Sequence, residues 1–440
     1  MDTQTSSANG HTSRPGHRLN ASVALLLLAL VFVYSAASWV QFWRHSAGGG
    51  GDRVLLFTQT DFPAIVIAAR LVASGRGHAL YDLDAQLQEQ HKLEAEGYLR
   101  LPPGWKLEYP YPYTPFIAVL WSPLVALSPL DQMALWDLLN LAAMVVGLWY
   151  LLTALPLPPF TRAALLLAAL TCLPFIVNLQ QGQTSGLTML AFGMGIRLLR
   201  EGRDLPAGLI LGLLAFKVQW LPVLGLVLLW KQRWRVIAGM VSTGFGLLVV
   251  TALTMGVTWV PGYLQVLWRV PQGGAEFELD PWYGHGLSGG LAALLGLGSA
   301  PTVRLLSAVA ALLIVAGLLY VWRGDPGWQI GTAQWDGRMA LTMQAILFTN
   351  PQLNTHDLCL FALPAALGTA YLGRSNAADT YRPVWYGMLW SGYFISAFAL
   401  YTGPVRLTSL VQGAVLAFLA VRLVRRHWHR ALLGHQPTGS

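Results

Sequence analysis

Apolar runs follow one another through nearly the whole chain, from residues 19–43 to residues 405–424. Runs this numerous do not fit inside one water-soluble core. Only 11% of the 440 residues are charged, where a soluble domain carries about 25%. Mean hydropathy is +0.50, so lipid is the main solvent. In lipid every backbone N–H and C=O needs a partner within the protein, which leaves helices or closed barrels. The runs are continuous rather than alternating, which selects helices. The expected fold is an all-α, polytopic transmembrane protein of about 11–13 membrane segments, some short or re-entrant. No large soluble domain accompanies them.

Charge then threads the chain. The net charge is +8, from 28 basic and 20 acidic residues. The basic residues lie in short loops between apolar runs, which reads as positive-inside topology and not as a nucleic-acid surface. If 206–230 is a hairpin tipped near Lys217 and 115–130 an outer-leaflet element, one consistent topology results. Arg162, Arg197, Arg200, Arg203, Lys231, Arg233 and Arg235 then share the cytoplasmic side. "NLQQGQ" at 178–183, Lys217 and "NPQLNTHD" at 350–357 share the other. Cys172 and Cys359 sit alone in apolar runs, which suggests neither a disulfide framework nor a metal site.

Residues 1–18 read as a disordered cytoplasmic tail, and 431–440 as a second one. Between them, 19–430 forms a single membrane domain. The run 19–43 is too long for an ordinary signal-peptide core, although "SAAS" at 35–38 is a possible cleavage site. Residues 44–113 form the longest polar insertion, an extracytoplasmic loop with two expected helices. One, 62–74, is amphipathic; the other, 84–97, is polar. The stretch "LPPGWKLEYPYPYTPF" cannot cross lipid as a helix. It suits the outer interface, where Tyr and Trp are favoured.

Ionisable residues in such a chain need an account. Asp61 opens the helix at 62–74. A carboxylate there serves equally well as a helix-start acid or as a general base at a membrane edge. Lys217 interrupts an apolar run far from either end, so an anionic partner is expected, either a phosphate or a buried acid. His356 and Asp357 stand in a break between two apolar runs. Their alternatives are a plain polar loop and an imidazole beside an anion or hydroxyl. Asn178, Gln180 and Gln183 are either a polar turn or hydrogen-bonding groups for a sugar or phosphate. Tyr109 joins them as a candidate substrate contact. "DLD" at 82–84 matches the Asp-x-Asp of nucleotide-sugar enzymes, but no nucleotide-binding domain surrounds it. There is no phosphate-binding Gly-rich fingerprint, zinc spacing or nucleophile elbow.

Four blocks carry a family resemblance: "TDFPAIVIAARLVASGRGHALYD", "YPYPYTPFIAVLWSPLVALSP", "NLQQGQTSGLTMLAFGMGIRLLREGRDLPAGLILGLLAFKVQWLPVLGLVLLWKQRWR" and "NPQLNTHDLCLFALP". In this order they resemble glycosyltransferase family 87, of the C-type superfamily of polyprenyl-phosphate-sugar-dependent enzymes. The resemblance runs from about Asp61 to Pro364. It implies a plasma-membrane glycosyltransferase with an extracytoplasmic active site, a polyprenyl-phosphate sugar donor and inversion at the anomeric carbon. Mannose is the family's best-known sugar. The catalytic acid of the first outer loop falls on Asp61, and the late histidine block on His356. Many members carry Ser-Pro and two adjacent histidines there, where this chain has Asn350–Pro351 and a single His followed by Asp357.

The expected chemistry needs neither cofactor nor metal. A departing phosphate can be met by Lys217, and no carboxylate cluster is present to hold a divalent ion. Asp61 would take the proton of an acceptor hydroxyl on a glycolipid or glycan. His356 would orient donor or acceptor. No obligate protein partner is implied. The rival is a transporter or flippase for an amphipathic lipid, for which broken helices and an intramembrane lysine also count. Its mark, an internal repeat, is missing. A scaffold without chemistry would tolerate neutral replacement of Asp61, Lys217 and His356.

Overall fold

The computed structural model describes residues 50–101, 109–269, 284–297, 301–323, 328–374, 381–398 and 406–433, with scattered positions between 26 and 40. The tail 1–18, most of the run 19–43, residues 102–108 of the Pro/aromatic stretch and residues 434–440 lie outside them. The described chain is helical throughout, and no strand occurs among these residues.

The insertion forms α1 (Gly50–Thr58), α2 (Phe62–Ala73) and α3 (Leu83–Ala95), followed by the short α4 (Phe116–Trp121). Both expected loop helices are present within two residues. α2 differs from its amphipathic reading, because every residue from Phe62 to Ala69 is buried. The polar α3, the Tyr-rich stretch and α4 wrap it. Gln86 of α3 takes this role with its side-chain amide, donating to Leu80 O and accepting from Tyr111 N.

Then come α5 (Pro129–Ala154), α6 (Pro159–Thr171), α7 (Leu173–Gln180) and α8 (Ser185–Arg200). Ser128 caps α5 by accepting from Asp131 N, with Pro129 in the first turn, where a missing N–H does no harm. α6 and α7 form one apolar path bent by 45°. α8 runs parallel to α5. A Cβ on Gly186 would meet Asn140 O at 2.2 Å, and one on Gly193 would meet Gly147 O at 2.1 Å. Small residues let the two backbones touch, the usual way of packing helices in lipid.

The run 206–230 is broken, as its threading requires. α9 (Asp204–Gly212) leads into a 3-10 turn at Leu213–Trp220, and α10 (Pro222–Trp230) leads back. Arg233, just past α10, pairs with Asp204 at the start of α9, so both feet of the hairpin stand at one end. α11 (Trp234–Met255) then rises parallel to α9, with Gly208 against Val236 and Gly212 against Met240.

The remainder is α12 (Trp259–Arg269), α13 (Leu287–Leu295), α14 (Pro301–Arg323), α15 (Ala333–Thr349), α16 (Ala362–Gly373), α17 (Arg382–Phe398) and α18 (Arg406–Leu433). Among the described residues four helices are long and apolar enough to cross a membrane: α5, α11, α14 and Leu407–Arg425 of α18. The bent α6–α7 pair makes a fifth. In the most apolar stretches of α11 and α14 only 17% of residues are buried. Leu253, Leu312 and Leu313 point outward. Such a surface is stable only against lipid. The chain is an all-α, multi-pass membrane protein.

Candidate active site

Five chain segments deliver polar side chains to one end of the bundle. The first is the turn before α2. Asp61 stands at the helix N-cap with φ −85° and ψ −8°, yet its side chain makes no capping bond. Oδ2 instead accepts from Gln183 Nε2 at 2.5 Å. A carboxylate only accepts, which fixes the amide orientation and turns Gln183 Oε1 to the Tyr113 hydroxyl, a donor at 2.9 Å. Asp61 is exposed, and Oδ1 has no protein partner among the described residues. The protein packed around it still displaces much of its water. That desolvation raises the carboxyl above its ordinary value, against the Gln183 hydrogen bond and the Lys217 charge.

The second segment is the α7–α8 turn, "NLQQGQTS". Gly182 has φ +64°, a conformation suited to glycine, and a Cβ there would stand 2.6 Å from Phe62 Cβ. Trp136 Nε1 donates to Gly182 O and Gln183 O and holds the turn from below. Asn178 Oδ1 accepts from Ser185 N at 2.8 Å. Ser185 Oγ in turn donates to Asp357 Oδ1 at 2.9 Å.

Lys217 supplies the third, at the tip of the hairpin, where φ −137° and ψ 77° interrupt the helix. Thr114 donates to Ala215 O and Phe216 O, two carbonyls near the break. The ammonium lies 3.1 and 3.2 Å from the two oxygens of Asp357. Of the partners expected for Lys217, the buried acid is the one present.

The fourth is the 3-10 turn Thr355–Phe361 between α15 and α16. Asp357 is fully buried there. Burial alone would raise its carboxyl; the Lys217 charge and the hydrogen bonds from Lys217 and the Ser185 hydroxyl act against this, and the carboxyl lies below its ordinary value. His356 is buried, with Nε2 3.5 Å from Asp357 Oδ2 and no hydrogen-bond partner. Burial pushes its pKa down to about 4, so the ring is neutral.

The fifth segment, "GHG" at 284–286, escaped the sequence reading. His285 is buried, with Nδ1 2.8 Å from Thr408 Oγ1 and Nε2 2.8 Å from Thr355 Oγ1. One nitrogen receives a hydroxyl proton and the other gives one. Burial pushes this ring down to about 4 as well. Its backbone N–H donates to Leu353 O. The ring therefore ties the turn at 355–361 to α18.

Asp61, Gln183, Lys217, His356, Asp357 and Asn178 thus meet at one end. Gln180 ends α7 half-buried and takes no part in the network. The Tyr109 hydroxyl donates to Thr58 O, and its ring packs with Phe57 and Phe62 behind the site. Tyr113, four residues on, is the tyrosine that reaches Gln183. The "DLD" at 82–84 is explained locally, because Asp82 caps α3 through Asp84 N and Ala85 N. Among the described residues no group of three or more His, Cys, Asp or Glu could hold a metal ion.

An exposed carboxylate beside an apolar bundle, an amide-rich turn and a buried ammonium paired with an acid suit group transfer onto a hydroxyl. Comparison with known families agrees. Glycosyltransferase family 87 matches residues 111–349, more than half of the chain, and the chain belongs to that family. It is a membrane glycosyltransferase. No curated protein and no solved structure matches it. Tyr113, Asn178, Gln183, Lys217 and His285 fall inside the matched region. Asp61, His356 and Asp357 lie outside it and join through geometry.

Proposed function

We propose that the chain transfers a sugar, with mannose first among the candidates, from a polyprenyl-phosphate donor to an extracytoplasmic hydroxyl on a glycolipid or glycan. Asp61 is the base. The acceptor oxygen attacks the anomeric carbon, its proton passes to Asp61, and the bond to the donor phosphate breaks on the opposite face. The configuration inverts, because a single displacement puts base and leaving group on opposite sides. Lys217 meets the charge growing on the departing phosphate. His356 orients the donor, with Asn178 and Gln183 at its sugar. The observation that carries this reading is Asp61 itself, an exposed carboxylate that caps nothing and keeps one oxygen free.

The orientation has separate support. Arg200 and Arg374 pair with Asp336, Arg233 pairs with Asp204, and Lys231 donates to Trp322 O, all at the end opposite Asp61. α8, with 16 residues, puts Ser185 and Arg200 about 22 Å apart along its axis. Basic loops favour the cytoplasmic face, so the site faces outward across the plasma membrane. The test is transfer from a radiolabelled panel of polyprenyl-phosphate sugars to membrane glycolipids, with purified protein and a chelator. Label moving from one donor supports the reading and names the sugar. No transfer from any donor by folded protein overturns it.

A further inference from the structure

Lys217 and Asp357 form an isolated, buried ion pair, with Asp61 acting electrostatically on the same lysine. The donor's phosphate must enter a centre that already holds two carboxylates and one ammonium. A third negative group is repelled there unless a cation turns toward it. Two features show how the lysine could be released. Lys217 sits on a backbone break between two short helices, so the tip of the hairpin can turn without unwinding either one. Asp357 keeps the Ser185 hydroxyl as a partner when the lysine leaves. Unmade hydrogen bonds stand beside the pair: among the described residues His356 Nε2 and Asn178 Nδ2 are buried without partners. Buried polar groups in folded proteins are nearly always paired, so these two are available to an entering acceptor.

We propose that Lys217 is an anion-exchange point: Asp357 is its resting counter-ion, and the phosphate of the lipid donor takes the place of Asp357 during binding. Asp357 is then a positioning residue, touching no reacting atom. It is the counter-ion of the Lys217 ammonium inside an apolar bundle until a phosphate arrives. The idea rests on the donor class proposed above and adds how the site admits it.

The experiment compares the full chain in detergent as wild type, Asp357→Asn and the double variant Lys217→Met/Asp357→Asn. Melting is followed against inorganic phosphate and, separately, against a prenyl monophosphate. Removing Asp357 leaves a buried ammonium without a counter-ion, a costly state that an added anion relieves. Asp357→Asn is expected to bind phosphate at least about tenfold tighter than wild type, as a charge-assisted contact warrants. The double variant is expected to show no gain. If Asp357→Asn does not fold in phosphate-free buffer, its folded yield against phosphate becomes the readout, and restored yield supports exchange. Phosphate binding in Asp357→Asn no tighter than in wild type, or a yield that phosphate leaves unchanged, overturns the proposal. So does an equal gain in the double variant.

The two probes separate the sources of the phosphate. Saturation by the prenyl ester far below the inorganic ion supports the lipid donor. Equal saturation overturns donor exchange and points to a site for free phosphate. No sugar is transferred in this assay. A failed transfer assay with exchange intact sinks only the enzymatic reading, and transfer without exchange sinks only this one.

Discussion

Two buried carboxylates stand at opposite ends of the same helices, and they are partnered differently. Asp336, in the first turn of α15, binds Arg200 at the end of α8 and Arg374 just past α16. Asp357, between α15 and α16, binds one cation among the described residues, Lys217, and accepts from Ser185 at the start of α8. Both are fully buried. At the Asp336 end two planar guanidiniums fill the oxygens of one carboxylate, a closed arrangement suited to stapling three helices. At the Asp357 end one point charge is shared over two oxygens, and the neighbouring imidazole nitrogen has no partner. The same three helices are therefore held by two guanidiniums at one end and by a single ammonium at the other, the end where the proposed chemistry lies.

Substitutions that separate catalysis from stability sharpen this contrast. The largest effect is expected from Asp61→Asn. It should lower kcat/KM for transfer by ~10²–10⁴-fold, the usual contribution of a positioned base. Melting should not change, because the carboxylate is exposed and caps nothing. Retained activity returns Asp61 to a role in helix geometry alone. Asp336→Asn should do the reverse. It leaves Arg200 and Arg374 facing each other without a counter-ion, at a cost of about 3–5 kcal/mol of stability. Transfer per folded molecule should hardly move, since the pair lies ~20 Å from the site along α15. Lost transfer with unchanged melting erases the division between the two ends.

Gly182→Ala mixes the two effects on a smaller scale. A side chain at φ +64° costs about 1–2 kcal/mol. The new Cβ also presses on Phe62, next to Asp61. The Gln183–Asp61 bond spans this contact, so activity should fall further than the melting temperature alone explains. Equal losses in both readouts leave Gly182 as a packing residue.

How much of this was legible in the chain follows from range. Helix positions came through, because apolar periodicity and Pro/Gly breaks are local; the hairpin at Lys217 and both loop helices are cases. Asp61 and Asp82 look alike in sequence, each an acid just before a helix. Asp82 caps α3, whereas Asp61 turns away to Gln183, 122 residues later in the chain. No local pattern separates them. Tyr109 and Tyr113 sit in one "YPYPY" repeat, and the choice between them depends on how the stretch folds back over α2. His285 carries no signal of its own, since "GHG" reads as a turn until α18 supplies Thr408. The Lys217 partner was legible as an anion, but its identity needed a contact across 140 residues.

The finest test of the contrast is the pH profile at Asp61. A base acts when ionised, so the acid limb of kcat/KM marks the pKa of its carboxyl. Desolvation by the protein around it raises that value above the ordinary one, and the Gln183 hydrogen bond pulls it down. Gln183→Met removes a bond made to the charged form, so protonation becomes easier and the limb should move to higher pH. The movement should be less than about one unit, as befits a single hydrogen bond partly offset by water at an exposed group. Arg200→Met at the far end removes a cation well beyond a Debye length, and the limb should stay in place. A limb that stays fixed in Gln183→Met, or moves down, detaches Gln183 from the base. A limb that follows Arg200→Met instead means that the two ends are coupled electrostatically and the bundle does not insulate them.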